Sequence, residues 1–345
     1  MPGFSTALIS WQREHGRHNL PWQTGNPYHV WLSEIMLQQT QVATVIPYYL
    51  RFIASYPTIA ELVSSSEEQV LSHWSGLGYY ARGRNLYRAA QMVASVHDGI
   101  FPNQYEQILA LPGIGRSTAA AICAQAYHQP YAILDGNVKR VLARYCGISG
   151  ATSIKSVEQL LWRQADALLP QHDVAVYTQA LMDMGATLCT RSRPKCGLCP
   201  VQGDCAALQS GRVAELPTPR LRKMLPERYA TFLLVMEGGD ILLEKRSDSG
   251  IWGGLWCLPQ LNQGELEEYL QLSGWAVKEQ ATLPAFTHAF THFKLHIAPL
   301  RLTLSHKPAQ PAMWMNISEA LDAAIPTPVR LLLESVLRDE AFITA

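Results

Sequence analysis

Four cysteines, Cys189, Cys196, Cys199 and Cys205, are spaced C-x6-C-x2-C-x5-C. Four thiolates in so short a run can wrap one soft-metal centre. A single tight C-x2-C pair with looser outer arms leaves two occupants open, an iron–sulfur cluster or a tetrahedral zinc ion. Cys123, Cys146 and Cys257 sit in apolar stretches and read as small core residues. Arg191, Arg193 and Lys195 lie inside the loop, so a metal-folded loop would hold cations rigidly where a phosphate could meet them. A purely structural staple fits the same cysteines.

Two carboxyls stand out. Asp135 follows the apolar pair Ile133-Leu134 and precedes Gly136-Asn137, as the N-cap of a helix over 137–146 would. Capping alone explains it, and so does a charge aimed at a reacting centre. Glu34 falls in a helix expected over 28–45, where its neighbours one turn away are Val30, Trp31, Leu37 and Gln38. A carboxyl on that largely apolar face is desolvated and its pKa raised, which suits a general acid near neutrality. Between helices expected over 104–110 and 116–127 lies Leu111-Pro112-Gly113-Ile114-Gly115. Its proline ends the first helix, and its glycines permit positive φ and close backbone approach. Such a turn is either an ordinary helix–helix connection or a phosphate site at a helix N-terminus.

The elements that must position these residues divide the 345-residue chain in two. Further helical spacing covers 67–74, 81–96 and 156–168, and Pro47, Pro57, Gly76-Leu77-Gly78, Pro102 and Gly147 punctuate the pattern. Residues 1–210 form the helical domain, with the cysteine loop at 189–205. Residues 211–227, rich in proline and basic side chains, read as a linker. Residues 228–345 form a smaller α+β domain, with a hairpin through Gly238-Gly239-Asp240, a strand over 292–304 and short helices over 265–272, 317–324 and 328–338.

A hydrophobic fraction of 48% against 16% charged residues excludes a disordered or collagen-like chain. The formal net charge of zero argues against a polycation. It averages 17 basic and 14 acidic side chains over residues 1–220 with 11 and 14 beyond. The strongest basic bias, Arg191, Arg193, Lys195, Arg212, Arg220, Arg222 and Lys223, surrounds the cysteines. Neither an export signal nor a bilayer-length apolar run is found, and a reducing cytoplasmic setting is expected.

Taken in this order, the Leu111–Gly115 turn, Asp135 and the cysteine loop resemble the helix-hairpin-helix DNA glycosylases, and within them the adenine DNA glycosylase (MutY) family. The supporting strings are Leu20-Pro21-Trp22, Trp31 to Gln41, Gly76 to Arg82 and Ile133 to Leu142, and the likeness covers nearly the whole chain. It implies an all-α glycosylase domain with a [4Fe–4S] cluster on Cys189, Cys196, Cys199 and Cys205, followed by a Nudix-like domain. It assigns protonation of adenine to Glu34, stabilisation of the sugar cation to Asp135, and orientation of the site to Asn137. Gln38, Gln39 and Tyr79 would wedge into the base stack, Gly113 and Gly115 would hold phosphate, and Ser117 and Lys139 would also lie at the DNA.

Ser117 stands where bifunctional relatives carry a lysine nucleophile, so no Schiff base and no efficient strand cleavage are expected. The stretch from Gly264 to Trp275 lacks the Arg/Glu run of a working Nudix hydrolase. The resemblance instead assigns recognition of 8-oxoguanine to Phe290, Thr291 and His292, with Thr291 where serine is common; ordinary strand alternation is the plainer reading of those three. The implied partner is duplex DNA with adenine opposite 8-oxoguanine or guanine, bound by a monomer acting at the bacterial nucleoid. A pyrimidine-directed glycosylase/lyase and a non-catalytic iron–sulfur DNA-binding protein are the alternatives.

Overall fold

Apolar residues at helical spacing, broken by Gly and Pro, fold the first part of the chain into helices. They span Phe4–His15, Pro27–Leu37, Val42–Ser55, Ile59–Ser64, Glu67–Trp74, Ala81–Val96, Tyr105–Leu109, Arg116–Tyr127, Gly136–Tyr145, Lys155–Ala167 and Val174–Thr187. The computed structural model describes residues 3–219, 224–262, 264–308 and 312–343, with side chains as far as 338. Arg220, Arg222 and Lys223 of the basic stretch therefore lie outside the described residues.

The helix expected over 28–45 is two helices. The first starts on the side chain of Asn26, which accepts from Tyr28 N, with Pro27 at the first turn. It stops at Leu37 because Gln39 takes a left-handed conformation, φ 58°. Pro47 does not punctuate the second helix but lies within it. Val45, Tyr49 and Phe52 of that helix are all buried, and their packing outweighs the lost backbone hydrogen bond. Val174–Thr187 escaped the sequence reading for the opposite reason. Nine of its residues are buried, so no amphipathic stripe marks it.

Two compact units result. One combines Met1–Val63 with Asn85–Arg222, the other Ser64–Arg84 with Lys223–Ala345. The division differs from a break confined to a linker at 211–227, because 64–84 joins the second unit. The joints are specific: Ser75 Oγ donates to Ile325 O at 2.8 Å, and Tyr80 OH donates to the same carbonyl at 3.2 Å. Glu68 accepts from Lys245 Nζ at 2.6 Å and from Trp256 Nε1 at 2.5 Å.

The second unit is built on a mixed eight-stranded sheet. Its strands are β1 (Glu227–Glu237), β2 (Asp240–Lys245), β3 (Trp256–Cys257), β4 (Gln260–Leu261), β5 (Val277–Thr282), β6 (Phe286–Ala289), β7 (Lys294–Leu304) and β8 (Met313–Asn316). The order β3-β2-β1-β7-β5 puts β1 and β7 side by side and parallel, paired from Glu227 with Lys294 to Met236 with Thr303. The expected hairpin is β1–β2, with Glu237 opposite Asp240. Burial runs unbroken from Phe232 to Met236, as in a strand covered on both faces. Short helices span Leu266–Ser273 and Ile317–Asp322, and a longer one, Thr327–Ile343, runs past the short helix expected over 328–338.

Candidate active site

In the helical unit a cavity of about 1120 Å³ is lined by Glu34, Asp135 and Asn137, with Arg17, His18 and Arg140 among its polar walls. Glu34 comes from the helix Pro27–Leu37, and Asp135 and Asn137 from the start of Gly136–Tyr145. Glu34 is half-buried by area, its open side facing the cavity. Burial pushes its carboxyl up to about 8, and the negative charge of Asp135 pushes the same way. Asp135 Oδ1 accepts from Val138 N at 2.7 Å, so capping and chemistry are both open to it. Burial raises Asp135 as well. Hydrogen bonds from the Val138 and Asn137 backbones and the charges of Arg140 and Lys139 oppose that rise. Both carboxyls are shifted upward, but only Asp135 carries this set of groups favouring its ionised form.

Asn137 is held from two sides. Its Oδ1 accepts from Arg140 Nη2 at 2.8 Å. A Cβ at Gly185 would lie 2.6 Å from Asn137 Cβ, so the helix Val174–Thr187 packs against this residue with no room to spare. Gly185→Ala is accordingly expected to displace Asn137 and slow the chemistry of the Glu34–Asp135 pair by about tenfold or more, since small misplacements at a reacting centre are amplified. An unchanged rate in a correctly folded variant would show that the position of Asn137 is immaterial.

Gly113 has φ 81°, and a Cβ there would meet Asn85 Cβ at 2.8 Å. Gly115 departs from the expectation of positive φ. At φ −103° it is the N-cap of Arg116–Tyr127, exposed and with nothing near its Cβ position. Its role in the hairpin is open access to the backbone, not unusual conformation. Ser117 Oγ accepts from Leu134 N at 2.9 Å, tying the hairpin helix to the segment that delivers Asp135. Lys139 Nζ is paired with Glu158 at 2.5 Å. Gln38 is half-buried and Gln39 exposed, at the break between two helices.

Cys189, Cys196, Cys199 and Cys205 line one small cavity. Burial pushes Cys199 up to about 11, and negative charge on the other three cysteines would push it further. The four cysteines are half-buried, and four thiolates are the donor set that an iron–sulfur cluster takes. Arg144, almost fully buried, fastens this loop. It donates to Thr190 O at 2.7 Å, Arg191 O at 3.2 Å, Cys189 Sγ at 3.4 Å and Leu216 O at 2.7 Å. Arg140 reaches Cys189 O at 2.7 Å, so the helix that Asp135 caps also carries the loop's support.

In the second unit Tyr79 is 46% exposed and left-handed, φ 48°. Arg82, buried beside it, donates to Leu77 O and Gly78 O at 3.3 and 3.1 Å. Phe290, Thr291 and His292 form a loop between β6 and β7, not a continuation of strand alternation. Phe290 N donates to Phe293 O at 2.9 Å and the two rings stack at 4.4 Å, leaving Thr291 and His292 exposed. Arg17, Arg144 and Asp183 are not found from the sequence, where isolated charges carry no period or spacing.

Known proteins match this arrangement. Residues 32–166 match the model described as HhH-GPD superfamily base excision DNA repair protein. Residues 189–205 match the iron-sulfur binding domain of endonuclease III, and 230–335 match a NUDIX domain. Adenine DNA glycosylase of Buchnera aphidicola subsp. Acyrthosiphon pisum is 38% identical over 96% of this chain and 97% of its own length. The chain belongs to the adenine DNA glycosylase family. The mouse member is 34% identical over 95% of this chain and 76% of its own. Among solved structures, a thermostable thymine-DNA glycosylase covers 60% of this chain and 95% of its own at TM-score 0.54 and 26% identity. The fold class is that expected, a helical glycosylase domain with an iron–sulfur loop followed by a Nudix-like domain, and the loop's occupant is an iron–sulfur cluster and not zinc.

Proposed function

We propose that this protein is a monofunctional glycosylase that excises adenine lying opposite 8-oxoguanine, and opposite guanine, in duplex DNA. The observation that carries the reading is the unequal carboxyl pair of one cavity, Glu34 held protonated near neutrality and Asp135 at a helix N-terminus. Membership of the adenine DNA glycosylase family points to the same base.

The adenine must leave the stack to reach the cavity. Adenine departs poorly as an anion, so Glu34 gives its proton to a ring nitrogen as the N-glycosidic bond breaks. The electron pair of that bond goes to the base, and the sugar develops oxocarbenium character beside the carboxylate of Asp135. Water then adds at the anomeric carbon, directly or after a transient ester with Asp135, and gives up its proton to the carboxylate left on Glu34, while Asn137 orients the site. Ser117 offers no amine for a Schiff base, so the product is an intact abasic strand.

Gln38, Gln39 and Tyr79 hold the opened stack, and the exposed Thr291 and His292 read the opposite base. The four cysteines would hold one [4Fe–4S] cluster, whose contribution is to fold a loop carrying Arg191, Arg193 and Lys195. The protein would act as a monomer on cytoplasmic DNA.

Single-turnover excision on duplexes with adenine opposite 8-oxoguanine, guanine or thymine, followed by alkali, tests the reading. Strand breaks only after alkali, fastest opposite 8-oxoguanine, are expected. Breaks without alkali would reinstate a lyase, and no abasic product from any duplex would overturn the enzyme assignment.

A further inference from the structure

The turn from Gly250 to Leu255 has no part in the chemistry above, yet it is sharply bent. Trp252 is a bulky residue at φ 58°, flanked by Gly250 at 87° and Gly254 at 75°. Side chains of its size are rarely found there. A Cβ at Gly253 would lie 2.4 Å from Asp248 O, so the chain doubles back on its own backbone. Leu255 N donates to Trp252 O at 3.1 Å and Gly254 N to Arg246 O at 3.2 Å, fixing the bend.

What the bend accomplishes is visible on its two sides. On one, the Trp252 ring is 7% exposed and packs among Phe232, His288 and Phe290, at centroid distances of 6.1, 5.8 and 5.3 Å. Phe290 and Phe293 close the loop that presents Thr291 and His292. On the other, Gly253 O accepts from Arg84 Nη1 at 2.6 Å. Arg84 lies in the first turn of Ala81–Val96, directly after the Gly78-Tyr79 bend.

We propose that the Gly250–Leu255 turn, through Trp252 and Arg84, holds the Phe290–His292 loop and Tyr79 in one fixed relation, so that the two elements read the opposite base as a unit. The inference rests on the assignment of both elements to opposite-base reading. Trp252 and Arg84 are positioning residues, since neither is needed for proton transfer or for the sugar cation. Mere core filling by Trp252 would explain its burial but not why the same turn also anchors the segment bearing Tyr79.

The test uses the full-length, cluster-loaded enzyme. Single-turnover excision is followed over a range of enzyme concentrations, with adenine opposite 8-oxoguanine and opposite guanine. The variants are Trp252→Gly, which keeps the left-handed backbone and removes the ring, and Arg84→Met, with Thr291→Ala as a control inside the loop. Each single variant is expected to raise the half-saturating concentration about tenfold on the 8-oxoguanine duplex alone. The maximal rate should stay within about twofold of wild type, and the double variant should lose less than the product of the two single losses. If Trp252→Gly unfolds, Arg84→Met carries the measurement alone.

Folded variants that retain the full wild-type preference overturn the inference, and so does an equal slowing on both duplexes. A wild-type enzyme indifferent to the opposite base, or a Thr291→Ala variant that keeps the full wild-type preference, overturns instead the assignment it rests on, and the inference falls with it.

Discussion

Glu34→Gln is expected to reduce single-turnover excision at pH 7 by about 100- to 10 000-fold, the range lost with a general acid, and at the same pH to make the protein more stable. The two effects have one cause. The fold holds the carboxyl of Glu34 at about 8, against an ordinary value near 4.5. A group raised in this way contributes stability fully below its ordinary value, and that contribution drains away as pH rises toward the folded value. By pH 7 keeping the proton against solvent has cost up to about 3 kcal/mol. Glutamine has nothing to titrate, keeps nearly the same shape and escapes the cost. Denaturant unfolding at pH 5, 7 and 8 should show the difference between variant and wild type growing with pH. A difference independent of pH would mean that Glu34 is not the raised group.

The rate profile gives a second readout. Excision should decline above about pH 8 as Glu34 loses its proton. Its acid limb should begin above the usual aspartate range, because burial raises Asp135 too. Asp135→Asn removes the charge but preserves the cap, since asparagine accepts at a helix N-terminus as well as aspartate. A variant that folds normally and excises at the wild-type rate would remove Asp135 from the chemistry.

Much of this is legible in the sequence, and the limits of legibility have physical reasons. Glu34 could be placed among apolar neighbours because Val30 and Trp31 lie one turn away. The helix that positions them, however, ends sooner than periodicity predicts, because Gln39 takes a backbone conformation that no composition rule anticipates for glutamine. The two glycines of the hairpin look equivalent in sequence, yet only Gly113 uses positive φ, and it does so beneath Asn85, which is remote in the chain. The cysteine loop was visible by spacing. The residue that fastens it was not, since Arg144 is an ordinary basic residue in a last helical turn until its four acceptors converge. The membership of 64–84 in the second unit was equally hidden, because it depends on carbonyls such as Ile325 O, which have no sequence signature. Local pattern finds groups that do chemistry when spacing identifies them. It does not find the groups that hold them.

Asp183 is the largest case of the second kind, and Asp183→Ala is expected to destabilise the helical unit by about 3–5 kcal/mol. The carboxylate is 1% exposed and accepts five hydrogen bonds. Gln12 Nε2 reaches it at 3.0 Å, Gln179 Nε2 at 2.8 Å, and Arg17 through N and Nε at 2.8 Å each and Nη2 at 2.6 Å. Alanine would leave a guanidinium, two amides and a backbone N–H facing a void without an acceptor, and each lost partner counts against the folded state. Asparagine would retain the volume but turn a donor toward donors, so Asp183→Asn should recover little of the loss. Gln12, Arg17 and Gln179 all line the cavity that holds Glu34 and Asp135, so the wall should loosen before the unit unfolds. Excision measured well below the melting temperature should therefore fall while the iron–sulfur absorption is retained, because none of the five hydrogen bonds to this carboxylate comes from Arg144 or the cysteine loop. If stability drops and excision by the folded fraction does not, the network serves the fold and leaves the cavity indifferent to it.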